Sequence, residues 1–364
     1  MKAINQIAPR QGILSAIGHT PLVPLERVLG DLHFQLYAKL EAFNPGGSIK
    51  DRAAFAIITD ALERGSLKPG MTVIESSSGN MGIGLAQACA YYGLRFVCVI
   101  DPKTTKQNIN ILEAYGAEVD LVTEPDPHTG EYLQARLDRV RALLKLIPNS
   151  YWSDQYSNVF NSNAHHQTMH EIVTALDGQL DYLFCATSTC GTLRGCAEYA
   201  YTNGLQTTII AVDAIGSVIF GGPNRKRIIP GHGAAVRPAL FQPGLARECV
   251  HVSDLDCVSG CRRLVEREAI LAGGSSGAVL SAVDKIQHRI PAGANCVVIF
   301  PDRGERYLET IYSDAWVLDH FGDVAHRWRR PHAVFVRPQV AEKFVQAAAS
   351  GDNGTGHKQE SRRP

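Results

Sequence analysis

The chain alternates short apolar runs with segments in which apolar residues recur at helical spacing. The runs are rich in Val, Ile and Leu, and they predict buried strands at 36–40, 71–76, 95–100, 118–122, 181–185, 207–213 and 295–300. The helical spacing predicts helices at 49–64, 80–92, 104–115, 130–146, 161–176, 191–202, 255–271, 276–288 and 303–311. Apolar strands separated by helices are typical of parallel sheets covered on both faces. The pattern therefore predicts an α/β fold but leaves its topology open.

A polar break at Pro148-Asn149-Ser150 divides these elements into two α/β halves. We therefore expect two domains, over residues 1–150 and 151–335, followed by a C-terminal extension over 336–364. Beyond about residue 350 the sequence is polar and contains glycine, which is typical of a disordered tail.

The charged residues balance, with 36 Lys plus Arg against 36 Asp plus Glu. This balance gives no electrostatic reason to expect nucleic acid or an anionic membrane as the main partner. No run reaches the ~18 apolar residues that span a bilayer, and the first residues, MKAINQIAPRQG, lack the apolar run of a signal peptide. We therefore expect a cytoplasmic protein whose partners are small molecules.

The nine cysteines are odd in number and form no CxxC pair. Most lie in apolar runs such as residues 96–100, where a reduced cysteine packs as a small apolar side chain. His166 and His170 lie four residues apart beside Glu171, but no third metal ligand has a fitting position. We expect packing cysteines and no metal site.

Three turns rich in Gly and Ser or Thr, at 76–80, 188–192 and 273–277, each open a predicted helix. The first N–H groups of a helix lack partners within the helix and carry partial positive charge, so they bind anions. Any one of these turns is as readily an ordinary helix cap. Three in one chain suggest a ligand with several anionic groups, held between two domains.

A dinucleotide site is the obvious alternative. It needs GxGxxG directly after the first strand and an acidic residue ~20 positions later. The nearest match, residues 79–84, reads GNMGIG, so its glycines have the reversed spacing and two of them lie inside the predicted helix. A nicotinamide cofactor is therefore disfavoured.

Lys50 follows a tight turn in the segment NPGGSIKDR, residues 44–52. A lysine at the start of a helix lies near the positive end of the helix dipole, which favours its neutral amine. A neutral lysine can form a Schiff base with a carbonyl compound. The alternative from the residues alone is a solvent-facing lysine beside its neighbour Asp51.

The segment NPGGSIKDR resembles the lysine motif of fold-type II pyridoxal-phosphate enzymes, in particular the cysteine synthase and cystathionine β-synthase family. Four further segments similar to that family follow its order, over roughly residues 10–320: IGHTPLVPL, ESSSGNMGIGLA, STCGT and ILAGGSSGA. The resemblance implies a two-domain α/β fold of the tryptophan synthase β type. It also implies a homodimer, with pyridoxal 5'-phosphate in the cleft between the domains of each chain.

The resemblance implies roles for individual residues as well. Lys50 matches the lysine that forms the Schiff base, Asn80 the asparagine that hydrogen-bonds the cofactor's phenolic oxygen, and Ser275 the hydroxyl at its pyridine nitrogen. The cofactor phosphate is expected in the turn of Ser188, Thr189, Cys190, Gly191 and Thr192. The substrate α-carboxylate is expected on Ser77, Ser78, Gly79, Asn80 and Met81, with Gln155 as a further contact.

These residue types suit a β-replacement reaction. A serine at the pyridine nitrogen, unlike an aspartate, does not hold that nitrogen protonated, so loss of a β leaving group is favoured. Lys50, once displaced, would take the Cα proton, and a second substrate would attack the resulting α-aminoacrylate at Cβ.

Cys190 in the phosphate turn, Met81 in the asparagine loop and segment 211–234 depart from cysteine synthase. They resemble the N-(2-amino-2-carboxyethyl)-L-glutamate synthases, which join O-phospho-L-serine to L-glutamate on a siderophore route to 2,3-diaminopropionate. Arg225 and Arg227 are then candidates to bind the phosphate leaving group or the glutamate carboxylates. An exposed loop with solvated charges is an equal alternative for these two arginines.

Three other functions stay open. A sulfhydrylase would make cysteine from phosphoserine or acetylserine, but the altered phosphate turn and segment 211–234 disfavour it. An inert cofactor-binding scaffold would show a missing lysine or a broken asparagine loop, and neither is seen. A serine/threonine dehydratase would use the same cofactor without a second substrate.

Overall fold

The computed structural model describes residues 12–127, 130 and 132–329. Its strands are β1 (Leu22–Pro24), β2 (Gln35–Leu40), β3 (Thr72–Ser76), β4 (Arg95–Ile100), β5 (Glu118–Leu121), β6 (Ser150–Trp152), β7 (Tyr182–Ala186), β8 (Thr208–Ala214), β9 (Glu248–Val252) and β10 (Asn295–Phe300). Its α-helices are α1 (Lys50–Glu63), α2 (Asn80–Tyr92), α3 (Lys106–Ala114), α4 (Tyr132–Leu146), α5 (Val159–Ala175), α6 (Gly191–Thr202), α7 (Asp254–Glu268), α8 (Gly274–Ile286) and α9 (Asp314–Phe321). Short 3-10 helices lie at Gly12–Ala16, Glu41–Phe43, Gln287–Arg289, Gly304–Tyr307 and Ala325–Arg327.

The strands form two sheets. One has six strands in the order β1-β2-β10-β7-β8-β9, and the other has four in the order β5-β4-β3-β6. Within the described residues, all strand pairs are parallel except β1 with β2. The predicted α/β class is confirmed, and the antiparallel edge strand makes the larger sheet mixed.

Helices cover both faces of the larger sheet, as the apolar runs predicted. In β10, Cys296, Val298 and Phe300 pack into the core that includes α7 and α8. Val297 and Ile299 between them pack into the core that includes α5 and α6. This alternation follows from the two-residue period of a strand, and it explains why the whole run is apolar.

The seven predicted strands are present, whereas β1, β6 and β9 were not predicted. β1 and β6 are only three residues long, too short to show a periodic pattern. β9 is at the edge of its sheet and carries His251 as an exposed residue, so its apolar run is broken.

The predicted helix at 303–311 is wrong. Only a 3-10 helix forms there, at Gly304–Tyr307, and α9 begins later, with Ser313 as its cap. The backbone of this segment bonds elsewhere in the chain, since Gly304 N–H donates to the Leu271 carbonyl at 3.2 Å. This bond and the β-bridge of Arg303 with Ala272 hold the start of the segment against residues 271 and 272.

The predicted domain boundary at residue 150 stays a prediction. β1 and β2 precede that boundary in sequence, yet they belong to the six-stranded sheet together with β7 to β10. β6 begins at the boundary and pairs with β3 in the four-stranded sheet. The sheets are thus built from interleaved parts of the chain. The predicted extension over 336–364, with its disordered tail, lies outside the described residues.

A buried ion cluster joins α1, α5 and β2. Arg52 contacts Glu41 and Glu171, each at 2.7 Å, and Lys39 contacts Glu171 at 2.7 Å. Buried charges are stable only when they are paired, and every member here has a partner of opposite sign. Because Arg52 lies two residues after Lys50, the cluster fixes the start of α1.

The described cysteines and histidines pack against other side chains and form no cluster of metal ligands. All nine cysteines are free, eight of them buried and Cys249 partly buried, which agrees with the predicted packing role. His166 contacts Glu198 at 3.4 Å and His170 contacts Tyr199 at 2.9 Å, both on α6. Within the described residues, no cluster of three or more His, Cys, Asp or Glu could hold a metal ion, and no helix is long and apolar enough to cross a membrane.

Candidate active site

Lys50 opens α1 directly beside the end of β10. The Ile49 N–H donates to the Pro301 carbonyl at 2.8 Å, and Ser48 forms a β-bridge with Asp302. Ser48 Oγ also accepts a hydrogen bond from the Lys50 N–H at 3.2 Å. These backbone bonds place the lysine at the carboxyl end of the six-stranded sheet, where ligands bind in open α/β sheets.

The amine of Lys50 belongs to a partly buried side chain. Burial lowers the pKa of this amine from 10.5 to about 8, while interactions with Cys190 and Asp302 act in the opposite direction. The sequence predicted a neutral amine because of the helix dipole, and the structure gives desolvation as the main cause. The unprotonated fraction of Lys50 at neutral pH is therefore far larger than that of an exposed lysine.

The predicted asparagine loop connects β3 to α2. Ser77 Oγ accepts hydrogen bonds from the N–H groups of Gly82, at 2.9 Å, and Gly79, at 3.4 Å. The Ser78 carbonyl accepts from Asn108 Nδ2 at 3.1 Å. The Met81 side chain is buried in the core between α1 and α2, so only its backbone is available to a ligand.

A buried carboxylate supports this loop from behind. Glu75 accepts hydrogen bonds from Ser153 Oγ at 2.7 Å, from the Ser76 N–H at 2.7 Å and from the Gln155 N–H at 3.0 Å. Burial raises the pKa of Glu75 to about 7. Gln155 Nε2 donates to the Ser76 carbonyl at 2.9 Å. Gln155, which was predicted to contact the substrate carboxylate, therefore lies against the loop and holds its backbone in place.

The predicted phosphate turn leads from β7 into α6. Cys190 has φ of 65°, a left-handed conformation, and its burial raises the thiol pKa to about 12, so the thiol stays protonated at neutral pH. Thr189 Oγ1 accepts from Asn161 Nδ2 at 3.2 Å, and Thr192 Oγ1 lies 3.3 Å from His165 Nε2. Ser188 is partly buried at the start of the turn.

Gly191, the first residue of α6, packs tightly on α5. A Cβ added to it would lie 2.2 Å from Asn161 Oδ1, a buried oxygen without a hydrogen-bond partner. Only glycine fits there, and its backbone N–H makes a long hydrogen bond to Thr189 Oγ1, at 3.4 Å, within the turn.

Ser275 lies in the first turn of α8, where it is 8% exposed. The turn is placed by Asp302, whose carbonyl accepts the Gly273 N–H at 3.2 Å. A Cβ on Gly273 would lie 2.0 Å from Asp302 Oδ1. The predicted ring-nitrogen residue and the segment after β10 are thus direct neighbours.

The helices that begin at the three predicted turns share one feature with α1, whose N-cap Ile49 also makes no side-chain hydrogen bond to its helix. The N-cap residues of α2, α6 and α8 form no side-chain hydrogen bond to their helices. By contrast, α3, α5, α7 and α9 are capped by Thr105, Asn158, Ser253 and Ser313. A helix start without a side-chain cap keeps N–H donors for another partner, which is what an anion site requires.

Sequence reasoning missed three residues beside Asn80. Asn80 Nδ2 donates to Asp302 Oδ2 at 2.8 Å, and Arg306 donates to Asn80 Oδ1. The Tyr307 hydroxyl donates to Asp302 Oδ2 at 2.5 Å. One signal was available, because polar residues directly after a buried strand lie at the same sheet edge as the other site turns, but the helix predicted over 303–311 obscured it.

Arg225 and Arg227 lie together in the loop after β8. The Arg225 side chain is exposed, and its N–H donates to the Gly216 carbonyl at 3.1 Å. The Arg227 guanidinium donates to the same carbonyl. The loop reaches the phosphate turn through Gly233, whose N–H donates to the Thr187 carbonyl at 2.7 Å. The Arg227 side chain thus stabilises its own loop, whereas the Arg225 side chain is open to solvent.

The arrangement fits pyridoxal phosphate. It combines an amine of lowered pKa at Lys50, the start of α6 at Gly191 without an N-cap side-chain bond, and a hydroxyl at Ser275. The Schiff-base chemistry of the cofactor needs the amine of Lys50, and its phosphate dianion is suited to the start of α6. Asn80 is partly buried and bonds to Asp302, the residue that forms the β-bridge with Ser48.

Comparison with known proteins gives the same cofactor. A family model described as pyridoxal-phosphate dependent enzyme matches residues 13–302. A relative from Ralstonia nicotianae, named N-(2-amino-2-carboxyethyl)-L-glutamate synthase, is 45% identical over 308 residues, covering 84% of this chain and 91% of the relative. A relative of the same name from Cupriavidus metallidurans is 42% identical over 309 residues, covering 84% of this chain and 90% of its own.

Solved structures share the fold. An O-ureido-L-serine synthase matches with a TM-score of 0.77 at 30% identity, over 85% of this chain and 96% of that one. An O-acetylserine dependent cystathionine beta-synthase from Helicobacter pylori matches with a TM-score of 0.78 at 30% identity, over 84% of this chain and 100% of that one. With the family match over most of its length and the site described above, this chain belongs to the family of pyridoxal-phosphate dependent enzymes.

Proposed function

We propose that this enzyme joins O-phospho-L-serine to L-glutamate, giving N-(2-amino-2-carboxyethyl)-L-glutamate and phosphate. The observation that carries the proposal is the pair of relatives with this name, at 45% and 42% identity over nearly the whole of their length. In the reaction the Cβ–O bond of phosphoserine breaks and phosphate leaves. The glutamate nitrogen then forms the new bond to Cβ. We place the product on a route to 2,3-diaminopropionate and siderophores.

In this proposal Lys50 has two tasks. Its amine would hold the cofactor through the aldehyde, and when released from the cofactor it would take the Cα proton of the substrate. A pKa of about 8 suits both tasks, since the amine must be neutral to act as nucleophile and as base near neutral pH. The bound cofactor supplies an electron-withdrawing ring. Ser275 is a neutral partner for the ring nitrogen, which favours β elimination.

The substrate carboxylate is assigned to the asparagine loop. The N-cap residue of α2 forms no side-chain bond to its helix. The Gly79 N–H bonds Ser77 Oγ at 3.4 Å, so the backbone N–H groups of Asn80 and Met81 are the donors that we assign to the anion. Ser77 accepts hydrogen bonds through Oγ, which leaves its own proton for donation, and Ser78 is partly buried beside it. Gln155 holds the loop backbone at the Ser76 carbonyl.

Arg225 is assigned to the phosphate leaving group or the glutamate side chain, because it is the exposed guanidinium of the loop that joins the phosphate turn. Arg227 supports that loop and its charge. The proposal also includes a cytoplasmic homodimer with a domain boundary near residue 150, as the family resemblance implies.

The direct test follows phosphate release by the purified holoenzyme. We expect release from O-phospho-L-serine with L-glutamate present, and mass spectrometry should show the carbon–nitrogen linked product. The Lys50→Ala variant is the control for background release. Sulfide-dependent turnover that yields cysteine, without use of glutamate, would replace this proposal with a cysteine synthase. Phosphate release with pyruvate as the sole product would indicate a dehydratase.

A further inference from the structure

The side-chain amide of Asn80 is held at both of its ends. Nδ2 donates to Asp302 Oδ2 at 2.8 Å, and Oδ1 accepts from the Arg306 guanidinium. A guanidinium can only donate hydrogen bonds. Asp302 Oδ2 acts only as an acceptor, because it receives the Tyr307 hydroxyl as well. A flipped amide would therefore place its oxygen against the oxygen of Asp302 and its nitrogen against the donors of Arg306.

This orientation determines what Asn80 can offer a ligand. The amide nitrogen carries two hydrogens, and Asp302 takes one of them. The other is left for a ligand, and it can be given only to an acceptor. A flipped amide would present its oxygen to the site and would repel an anionic ligand oxygen.

We infer that Asp302 and Arg306 are positioning residues that fix Asn80 as a hydrogen-bond donor to an anionic oxygen of the cofactor. The inference rests on the proposed placement of Asn80 against the cofactor ring. It extends that placement with two residues, 222 and 226 positions away in sequence, that act on the ring through Asn80.

The two positioning residues are themselves fixed. Asp302 is 2% exposed, so little water is available to replace its partners. Arg306 also donates to the Gly46 carbonyl, in the turn that leads to Lys50. The Gly46 N–H in turn donates to Asp51 Oδ2 at 2.6 Å. One network therefore couples the asparagine loop, the lysine turn and the segment after β10.

Asp302 could position Asn80 through its negative charge or through a single accepting oxygen, and its second oxygen helps to distinguish the two. Oδ1 is buried and has no hydrogen-bond partner in the described residues. Oδ2 therefore makes the contacts to the Asn80 amide and the Tyr307 hydroxyl, and a single neutral oxygen is enough for them. An asparagine at 302 keeps such an oxygen and loses the charge, whereas an alanine loses both.

The test is a double-mutant cycle. For each variant, the affinity for pyridoxal phosphate and the visible absorbance of the holoenzyme are measured. We expect Asn80→Ala and Asp302→Ala each to raise the Kd for pyridoxal phosphate roughly tenfold and to shift the visible absorbance band of the bound cofactor in the same direction. The double variant should bind about as weakly as either single variant, because both remove the same contact. Asp302→Asn should restore most of the affinity and the band.

Ser313→Ala, which removes the cap of α9, is the control for a general loss of stability. It should lower the melting temperature without moving the band. If Asp302→Ala does not fold, Arg306→Met takes its place in the same cycle.

Two results would overturn the inference in different ways. If Asp302→Ala or Arg306→Met binds the cofactor as the wild type does while Asn80→Ala does not, or if the losses add in the double variant, the positioning role is wrong and the proposed function stands. If Asn80→Ala itself leaves the affinity and the band unchanged, the placement of Asn80 against the cofactor fails as well.

Discussion

At the scale of single residues, burial shifts three protonation equilibria at the site towards the neutral form. Burial lowers the pKa of Lys50 to about 8 and raises the pKa values of Glu75 and Asp51 to about 7. Desolvation disfavours the charged form of a lysine and of a carboxylic acid alike. The site thus gains a reactive amine and keeps the charge on the neighbouring acids low.

The first prediction concerns the pH dependence of cofactor capture. We expect the rate at which cofactor-free protein binds pyridoxal phosphate covalently to rise with pH through about 8 and then level off, since the neutral amine of Lys50 is the nucleophile. With an exposed lysine, the rate would keep rising until pH ~10.4. Stopped-flow absorbance measures this rate, and a single inflection near pH ~10.4 would show that the amine is not desolvated.

The sequence revealed some site residues and concealed others for a physical reason. Lys50 and Asn80 lie in short motifs whose glycines and helix starts are visible in the chain itself. Asp302 and Arg306 contact Asn80 across more than 200 positions. Their one local signal, that polar residues directly follow a buried strand, was obscured by the helix predicted over 303–311. The Lys50 environment was likewise attributed to the helix dipole, because burial by distant segments cannot be read from its neighbours.

At the scale of elements, the way each helix begins separates site helices from structural ones. Side-chain caps close α3, α5, α7 and α9, whereas α2, α6 and α8 begin at Gly79, Cys190 and Gly273 without such a cap. A missing cap costs ~1 kcal/mol of stability, and a bound anion can recover it. The sequence placed these three helix starts well because glycine-rich turns are a local signal.

The second prediction concerns the start of α6. Gly191→Ala should weaken pyridoxal phosphate binding by tenfold or more, because the new Cβ would lie 2.2 Å from Asn161 Oδ1 and push the first turn out of place. Gly195→Ala is the matched control. It creates a similar clash with the Ser162 carbonyl one turn later, at 2.0 Å, and should cost ~1–3 kcal/mol of stability with a smaller effect on cofactor affinity. Equal losses of affinity in the two variants would show that helix packing, and not the phosphate turn, sets the binding.

The mistaken helix over 303–311 shows where local patterns fail at this scale. Its residues have a helical pattern, but the backbone N–H of Gly304 bonds to Leu271 and the Tyr307 hydroxyl bonds to Asp302. Tertiary hydrogen bonds override helix propensity when they also bury polar groups that need partners.

At the scale of the whole molecule, the buried ion cluster ties the lysine helix to the rest of the fold. Burial acts to raise the pKa of Glu171, but hydrogen bonds and charges from Arg52 and Lys39 outweigh it and hold the pKa at about 2. The stabilisation from Glu171 is therefore complete above its ordinary pKa of 4.5. It is lost as the pH falls from 4.5 towards about 2.

The third prediction uses this pH window. Glu171→Gln should lower the free energy of unfolding by ~3–5 kcal/mol at pH 7, because it leaves Arg52 and Lys39 short of a negative partner. The difference from the wild type should narrow once the pH falls below 4.5, as urea unfolding at several pH values would show. The control is Glu118→Gln in the Arg95 pair, both 58% exposed, which should cost less than ~1 kcal/mol. A constant difference down to pH 3 would mean that Glu171 is not the titrating group.

The chain's overall class was readable from its sequence because long apolar strands and helices alternate along it. The interleaving of the two sheets was not, since β1 and β2 join strands that lie more than 140 residues later. Which strands pair is decided in the folded molecule, and the local sequence pattern does not indicate it.

The most direct measurement is to identify the residue that carries the cofactor. The purified holoenzyme would be reduced with borohydride, digested and analysed by peptide mass spectrometry. We expect a pyridoxyl phosphate adduct on Lys50, and its loss in the Lys50→Ala variant. An adduct on a different lysine, or a wild-type protein that takes up no cofactor, would contradict it.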